Sequence, residues 1–201
     1  MNVLFLGPAS SPLVQVIFAA GDNVTTTENE ITGDSPELAS TDFIVSFGYR
    51  HIIGSDVLEK FPGKVINLHI SYLPWNRGSD PNFWSFIDNT PKGVTIHLVD
   101  EGLDTGPVLV QRLVSMWDSE TLATSYDKLQ TSIVNLFSDN WYEIKKGYLP
   151  ACPQKGDGSY HSRRDFKALD FLTKQWGYET PVVDLIRYGA KQRRGGKWAN
   201  G

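Results

Sequence analysis

Apolar and polar positions along the chain switch between a period of two and a period near 3.6, and the switches mark out its elements. Asn2–Leu6 (NVLFL) is a short apolar run closed by Gly7-Pro8, the pattern of a strand buried on both faces. A turn at Ala9–Pro12 leads into a helix over Leu13–Ala20, ended by Gly21. Strand, glycine turn and helix in that order predict the start of a doubly wound sheet. Asp22–Ser40 is polar, with a short strand near Val24–Thr27 and then loop or a small helix around Pro36–Ala39. A second buried strand is predicted over Asp42–Ser46. Ser55 then caps a short helix to Phe61, which Pro62-Gly63 stops.

The period of two returns at Val65–His69, where alternation places Asn67 and His69 on one side and Ile66 and Leu68 on the other. A loop rich in proline and glycine, Ser71–Gly78, precedes a helix with Asp80 as N-cap and Pro81 at its first position. Gly93–Val99 alternates as a strand and runs into the acidic turn Asp100-Glu101-Gly102-Leu103-Asp104-Thr105-Gly106. Pro107–Met116 reads as a further strand. The longest helix is capped by Asp118 or Ser119, and Leu122, Tyr126, Leu129, Ile133, Leu136 and Trp141 form its apolar stripe up to Gly147. That stripe assigns Tyr126 and Trp141 to the core. After Pro150 come a glycine-rich stretch, a helix over Asp165–Trp176 stopped by Gly177, and a helix opened by Thr180-Pro181 and reaching about Tyr188. Lys191–Gly201 reads as a solvated tail.

Composition narrows the function classes. At 201 residues the expectation is one domain, residues 1–150, with a short C-terminal extension, 151–201. A net charge of −4 gives no electrostatic footprint for nucleic acid. The single cysteine, Cys152, forms no internal disulfide and fits a reducing compartment. Without an apolar run of membrane-spanning length or a signal peptide, the chain is expected to be cytoplasmic, with no membrane partner. No pair of histidines has metal-ligand spacing, so no metal is expected. The absence of G-x-G-x-x-G leaves dinucleotide binding without support.

The densest cluster of candidate chemistry is Asn67-x-His69-x-Ser71, then Leu73-Pro74, Arg77-Gly78, Gly93-Val94-Thr95 and Asp104-Thr105-Gly106. In order and spacing these motifs resemble the catalytic core of the 10-formyltetrahydrofolate-dependent formyltransferases, densely here and more thinly from about Asn2 to Asp165. The resemblance implies an α/β fold, an open and mostly parallel Rossmann-like sheet, and 10-formyltetrahydrofolate as co-substrate. It assigns catalysis to Asn67, His69 and Asp104. It places the folate against Phe47, Gly48, Tyr49, Arg50, His51 and Ile52 and the turn residues Asp100, Gly102 and Leu103. His97 has a structural role at its family position.

The residue types suit that chemistry. Moving a formyl group to an amine requires an unprotonated amine, a stabilised oxygen on the tetrahedral intermediate, and a proton for the leaving nitrogen. An amide and an imidazole at one strand end can hydrogen-bond that oxygen, and removing one such donor typically costs on the order of a hundredfold in rate. Asp104, in a turn the family places against His69, holds the imidazole's tautomer or relays protons through water. No covalent enzyme intermediate is needed, so Ser71 is read as loop architecture.

The acceptor is narrowed by comparison within the resemblance. The tRNA enzymes add a C-terminal oligonucleotide-binding barrel, for which Pro150–Gly201 is too short. The glycinamide ribonucleotide enzymes carry Gly-x-Gly-Ser-Asn where this chain has Gly7-Pro8-Ala9-Ser10-Ser11. The sugar-nucleotide N-formyltransferases remain. They imply an amino-deoxysugar on a nucleoside diphosphate, TDP- or GDP-linked, as in lipopolysaccharide O-antigen and other surface-glycan pathways. Trp75, Asn76, Arg77, Gly78, Tyr160 and His161 are the candidate acceptor contacts. Phe171, Leu172, Trp176 and Tyr178 are the candidate interface of a homodimer. The alternatives are a methionyl-tRNA or glycinamide ribonucleotide formyltransferase-like enzyme, a formyltetrahydrofolate hydrolase, and a non-catalytic folate- or nucleotide-binding module.

Overall fold

The structure is a computed structural model that describes residues 1–194. Its first half contains β1 (Asn2–Leu6), α1 (Pro12–Ala19), β2 (Asn23–Thr27), β3 (Phe43–Ser46), α2 (Ser55–Leu58), β4 (Val65–His69), the two-residue β5 (Arg77–Gly78), α3 (Pro81–Ile87) and β6 (Gly93–Leu98). Then come β7 (Val108–Leu113), α4 (Leu122–Lys146), β8 (Tyr160–His161), α5 (Arg163–Ala168) and α6 (Val182–Arg194). Short 3₁₀ turns lie at Pro36–Ser40, Asp170–Leu172 and Gly177–Glu179.

The chain forms two compact units, interleaved in sequence. The first comprises Met1–His69, Thr95–Gln111 and Ile133–Gln154; the second comprises Ile70–Val94, Arg112–Ser132 and the chain from Lys155 onward. The first unit is organised on a sheet of order β2-β1-β3-β4-β6-β7. The four strands from β2 to β4 are parallel, as expected for buried apolar runs joined by crossovers, and β6 joins β4 antiparallel. Leu4, Leu6, Ile44 and Val65 from three of these strands pack with Leu38, Val57 and Phe61 in one core. In the same unit the Trp141 ring stands edge-on to Phe43 at 5.3 Å, and its indole N–H donates to the buried Asp22 at 2.9 Å.

In the second unit α3 is buried along its whole length. It packs with Leu122, Val182 and Leu185 in a separate core. Gly189 permits a close approach there: a Cβ at that position would lie 1.9 Å from the Ile87 carbonyl oxygen. The helix α6 continues past Tyr188, its expected end, to Arg194. Of the tail expected at Lys191–Gly201, Lys191–Arg194 are helical, and Gly195–Gly201 lie outside the described residues.

Four further expectations are corrected. The long helix starts at Leu122 and is not capped by Asp118 or Ser119. Thr121 and Thr124 do this instead, each hydroxyl accepting the other's backbone N–H. Tyr126 is not core: it is 40% exposed, although Leu129, Ile133, Leu136 and Trp141 of its stripe are buried. The segment Asp165–Trp176 is not one helix. Ser162 caps α5 through a reciprocal box with Asp165, and α5 ends at Ala168 before the 3₁₀ turns. Gly54 rather than Ser55 occupies the cap position of α2.

Candidate active site

The site begins with strand register. In the antiparallel pair of β4 and β6, Asn67 lies opposite His97 and His69 opposite Thr95, so alternation brings Asn67, His69 and His97 to one face. The acidic turn after β6 returns Asp104 to them. Asn67 Nδ2 donates to Asp104 Oδ1 at 3.1 Å, and His69 Nδ1 stands 3.6 Å from Asp104 Oδ2. His69 and Asp104 are 8% and 9% exposed, so their interaction is shielded from bulk water while staying within reach of a ligand.

His97 joins this group. Its Nδ1 lies 2.8 Å from the Leu98 carbonyl oxygen, which only accepts, so Nδ1 carries the proton. In the neutral ring Nε2 is then an acceptor, and Asn67 Nδ2 donates to it at 3.3 Å. Asp104 Oδ1 is 3.5 Å from the same nitrogen. Both amide hydrogens of Asn67 are therefore engaged, one by a carboxylate and one by an imidazole. The longer of the two is the contact with His97. Sequence reasoning gave His97 a structural role only; its register opposite Asn67 is the signal that would have placed it here.

The turn is held rigidly. Asp104 has φ 55, a left-handed conformation uncommon for residues other than glycine and concentrated at functional sites. Gln154 Nε2 donates to the carbonyl oxygens of both Asp104 and Gly106, at 2.8 and 2.9 Å. Asp100 accepts the Gly102 N–H and, at 2.7 Å, the Thr105 hydroxyl, so its carboxylate is occupied in shaping the turn. Leu103 is 50% exposed at its tip.

Phe47–Ile52 follows β3 outside any helix or strand, with Arg50, His51 and Ile52 exposed. Tyr49 has a structural task within it: its hydroxyl donates to the Asn29 carbonyl and accepts the Ile31 N–H, at 2.8 and 3.1 Å. The Tyr49 and His51 rings lie 5.2 Å apart.

In the second unit the loop before α3 is laid against β8. Arg77 and Ser79 donate backbone N–H groups to Ser159 and His161 at 2.9 and 2.8 Å. Asn76 is fully buried. It takes its place in this frame through Thr90 Oγ1 and Ser159, and offers no surface to a ligand. His161 is buried too, stacked on the Trp84 indole at 3.8 Å and bonded to Asp88 at 2.7 Å. Trp75 and Tyr160, at 37% and 55% exposure, present ring surface, and the Arg77 guanidinium lies 3.4 Å from the Asp157 carbonyl. The six candidate acceptor residues thus divide into supports (Asn76, Gly78 and His161) and surface groups.

The sequence profile of the formyl transferase family matches residues 8–140. The chain belongs to that family. The chain is 35% identical to the methionyl-tRNA formyltransferase of Thermodesulfovibrio yellowstonii over 120 residues, 59% of this chain and 39% of that protein. The chain thus spans about two fifths of the length of that curated relative. Among solved structures, the formyltransferase PseJ from Anoxybacillus kamchatkensis, in complex with UDP-4,6-dideoxy-4-formamido-L-AltNAc and tetrahydrofolate, is 43% identical with a TM-score of 0.90. That match covers 94% of this chain and 100% of PseJ. A 4-N formyltransferase from Francisella tularensis shares the fold at 20% identity and a TM-score of 0.76, over 93% of this chain and 87% of that one.

Proposed function

We propose that this formyltransferase moves a formyl group from 10-formyltetrahydrofolate to the amine of a nucleotide-linked amino-deoxysugar. The cluster of Asn67, His69 and Asp104 within one compact unit carries the reading, because a binding module has no need of it. The full-length similarity to PseJ, which binds a UDP-linked formamido sugar and tetrahydrofolate, supports the sugar acceptor and favours a uridine-linked one over TDP or GDP. A surface-glycan role and a cytoplasmic setting belong to the same proposal. Among the described residues no helix is long and apolar enough to cross a membrane.

The residues fit the folate. An exposed segment without regular structure, Gly48 and Arg50–Ile52, leaves backbone groups open beside a buried sheet end, the surroundings a flat heterocycle with donors on its edge requires. When bound, 10-formyltetrahydrofolate supplies the activated formyl group. The chain's own groups then have separable tasks. Asn67 Nδ2 and the His69 ring donate to the oxygen that gains charge as the amine attacks. Asp104 orients both, accepting from the Asn67 amide and facing His69 Nδ1, and His69 is placed to move a proton between the amine and the leaving nitrogen.

The test is a mass-spectrometric assay with 10-formyltetrahydrofolate and a panel of UDP-, TDP- and GDP-linked amino sugars. A mass gain of one formyl group on a UDP-linked acceptor is expected. Formate release without any acceptor would favour a hydrolase, and folate bound but unchanged with every acceptor would favour a binding module.

A further inference from the structure

The Asp104 carboxylate meets Asn67 and His69 from an unfavourable backbone conformation. At φ 55 the residue lies in the left-handed region, which is costly for any residue that carries a Cβ. Left to itself, such a residue relaxes and takes its side chain with it. Asp100 shapes the turn on either side, through the Gly102 N–H and the Thr105 hydroxyl. The bond that reaches the Asp104 backbone from outside the turn comes from a residue 50 positions later.

That residue is Gln154. Its side-chain nitrogen donates to the Asp104 carbonyl oxygen at 2.8 Å and to the Gly106 carbonyl oxygen at 2.9 Å. A carbonyl oxygen only accepts, so the nitrogen of the amide must face the pair, and both of its hydrogens are used. The two acceptors differ in freedom. Gly106 is pressed against β6, where a Cβ would lie 1.8 Å from the Leu98 carbonyl oxygen. Beside it the Leu98 N–H donates to the Pro107 carbonyl at 2.9 Å. The amide therefore ties a strained residue to an anchored one.

The donor is itself fixed by register. Cys152 and Val108 exchange backbone hydrogen bonds at 2.8 and 2.9 Å, which pairs the chain after α4 with the start of β7. Pro153 then restricts the backbone between that anchor and Gln154. All these residues belong to the first unit, with Asn67, His69 and Asp104.

We infer that Gln154 is a positioning residue for formyl transfer: its amide bridge holds the Asp104 backbone so that the carboxylate meets Asn67 and His69. The inference rests on the proposed function and adds to it a residue that acts through Asp104. The bond from Asn67 spans 3.1 Å, so a shift of the carboxylate by about 1 Å breaks it. Misplacement on that scale costs about a hundredfold in rate.

Formyl transfer from 10-formyltetrahydrofolate to a UDP-linked amino sugar tests it, with rates expressed per tetrahydrofolate-binding site so that unfolded protein does not count. Gln154→Met keeps the length of the side chain and removes both N–H donors. Its kcat should fall by about ten- to a hundredfold, with the acceptor KM and tetrahydrofolate affinity near wild type. Gln154→Glu, whose carboxylate meets two carbonyl oxygens, should lose rate in the same way. The deciding readout is a double-mutant cycle. Once Asp104→Asn has removed the carboxylate, Gln154→Met should cost markedly less, about twofold or under. Wild-type kcat in Gln154→Met, or the same loss of rate with and without Asp104→Asn, would overturn the positioning role and leave the proposed function standing. Loss of tetrahydrofolate binding in both Gln154 variants would make the residue a requirement of the fold and overturn it too. Tetrahydrofolate binding by the wild type with no transfer to any UDP-, TDP- or GDP-linked amino sugar would overturn both readings.

Discussion

The amide of Asn67 donates to the carboxylate of Asp104 at 3.1 Å, joining the last turn of the strand pair to a residue 37 positions away. The bond fixes which way the amide faces, since a carboxylate tolerates only its N–H side. Asp104→Asn removes the charge and keeps the shape. On the proposed mechanism we expect kcat to fall by about a hundredfold or more, because an amide with a single acceptor oxygen no longer accepts from Asn67 and faces His69 at once. Tetrahydrofolate affinity should be nearly unchanged. Steady-state kinetics beside a direct folate titration separates the two effects.

His97→Phe keeps a planar ring in a site only 2% exposed and removes both ring nitrogens. The Leu98 carbonyl then loses its donor and Asn67 one acceptor. Thermal unfolding should show a loss of about 1–3 kcal/mol, the cost of stranding buried polar groups. His97→Gln, whose carbonyl can again accept from Asn67, should recover part of the activity lost in His97→Phe.

Gly158 holds the loop before α3 from the other side. It has φ 68, and a Cβ there would lie 2.1 Å from the Pro74 carbonyl oxygen. Both the backbone conformation and the contact forbid a side chain. Gly158→Ala should cost more than about 1 kcal/mol of stability and raise KM for the acceptor. Folate affinity should hold, which distinguishes a displaced loop from general unfolding.

Asp22 supplies a pH signature. Burial raises its pKa, but hydrogen bonds from Lys145, the N-terminal amine and Trp141 outweigh burial and hold the carboxyl below its ordinary value. A carboxyl whose folded pKa lies below the unfolded one stabilises fully above the unfolded value, about 3.9, and loses that stabilisation as pH falls through the folded value. Asp22→Asn should therefore cost about 3 kcal/mol near neutral pH, leaving the Lys145 ammonium without its partner. The gap between wild type and variant should stay flat down to about pH 4 and close below it. Urea unfolding across that range measures it.

Most buried strands, and the grouping of Asn67, His69 and Asp104, were legible because each lies in a short local motif. Val65–His69 opens as an apolar run into Asn-x-His, and Asp104 sits in a turn marked by two glycines. What escaped depends on partners distant in sequence. Asn76 reads as an exposed loop residue, yet Ser159, 83 positions on, buries it. His161 reads as a ligand contact, but Trp84 and Asp88 occupy it. Tyr126 keeps perfect helical spacing with buried neighbours and is nevertheless exposed, because the surface facing it is a cavity rather than a packed wall. Thr121 displaced Asp118 and Ser119 as cap through a reciprocal bond with Thr124, a pairing that the acidic residue nearby obscured.

The most direct measurement is single-turnover formyl transfer by wild type and His69→Ala, with tetrahydrofolate affinity determined for both. We expect formylation of a UDP-linked amino sugar by the wild type, and a loss of about a hundredfold or more in the variant with folate affinity retained. Transfer by His69→Ala at the wild-type rate would contradict the assignment of the chemistry to this cluster.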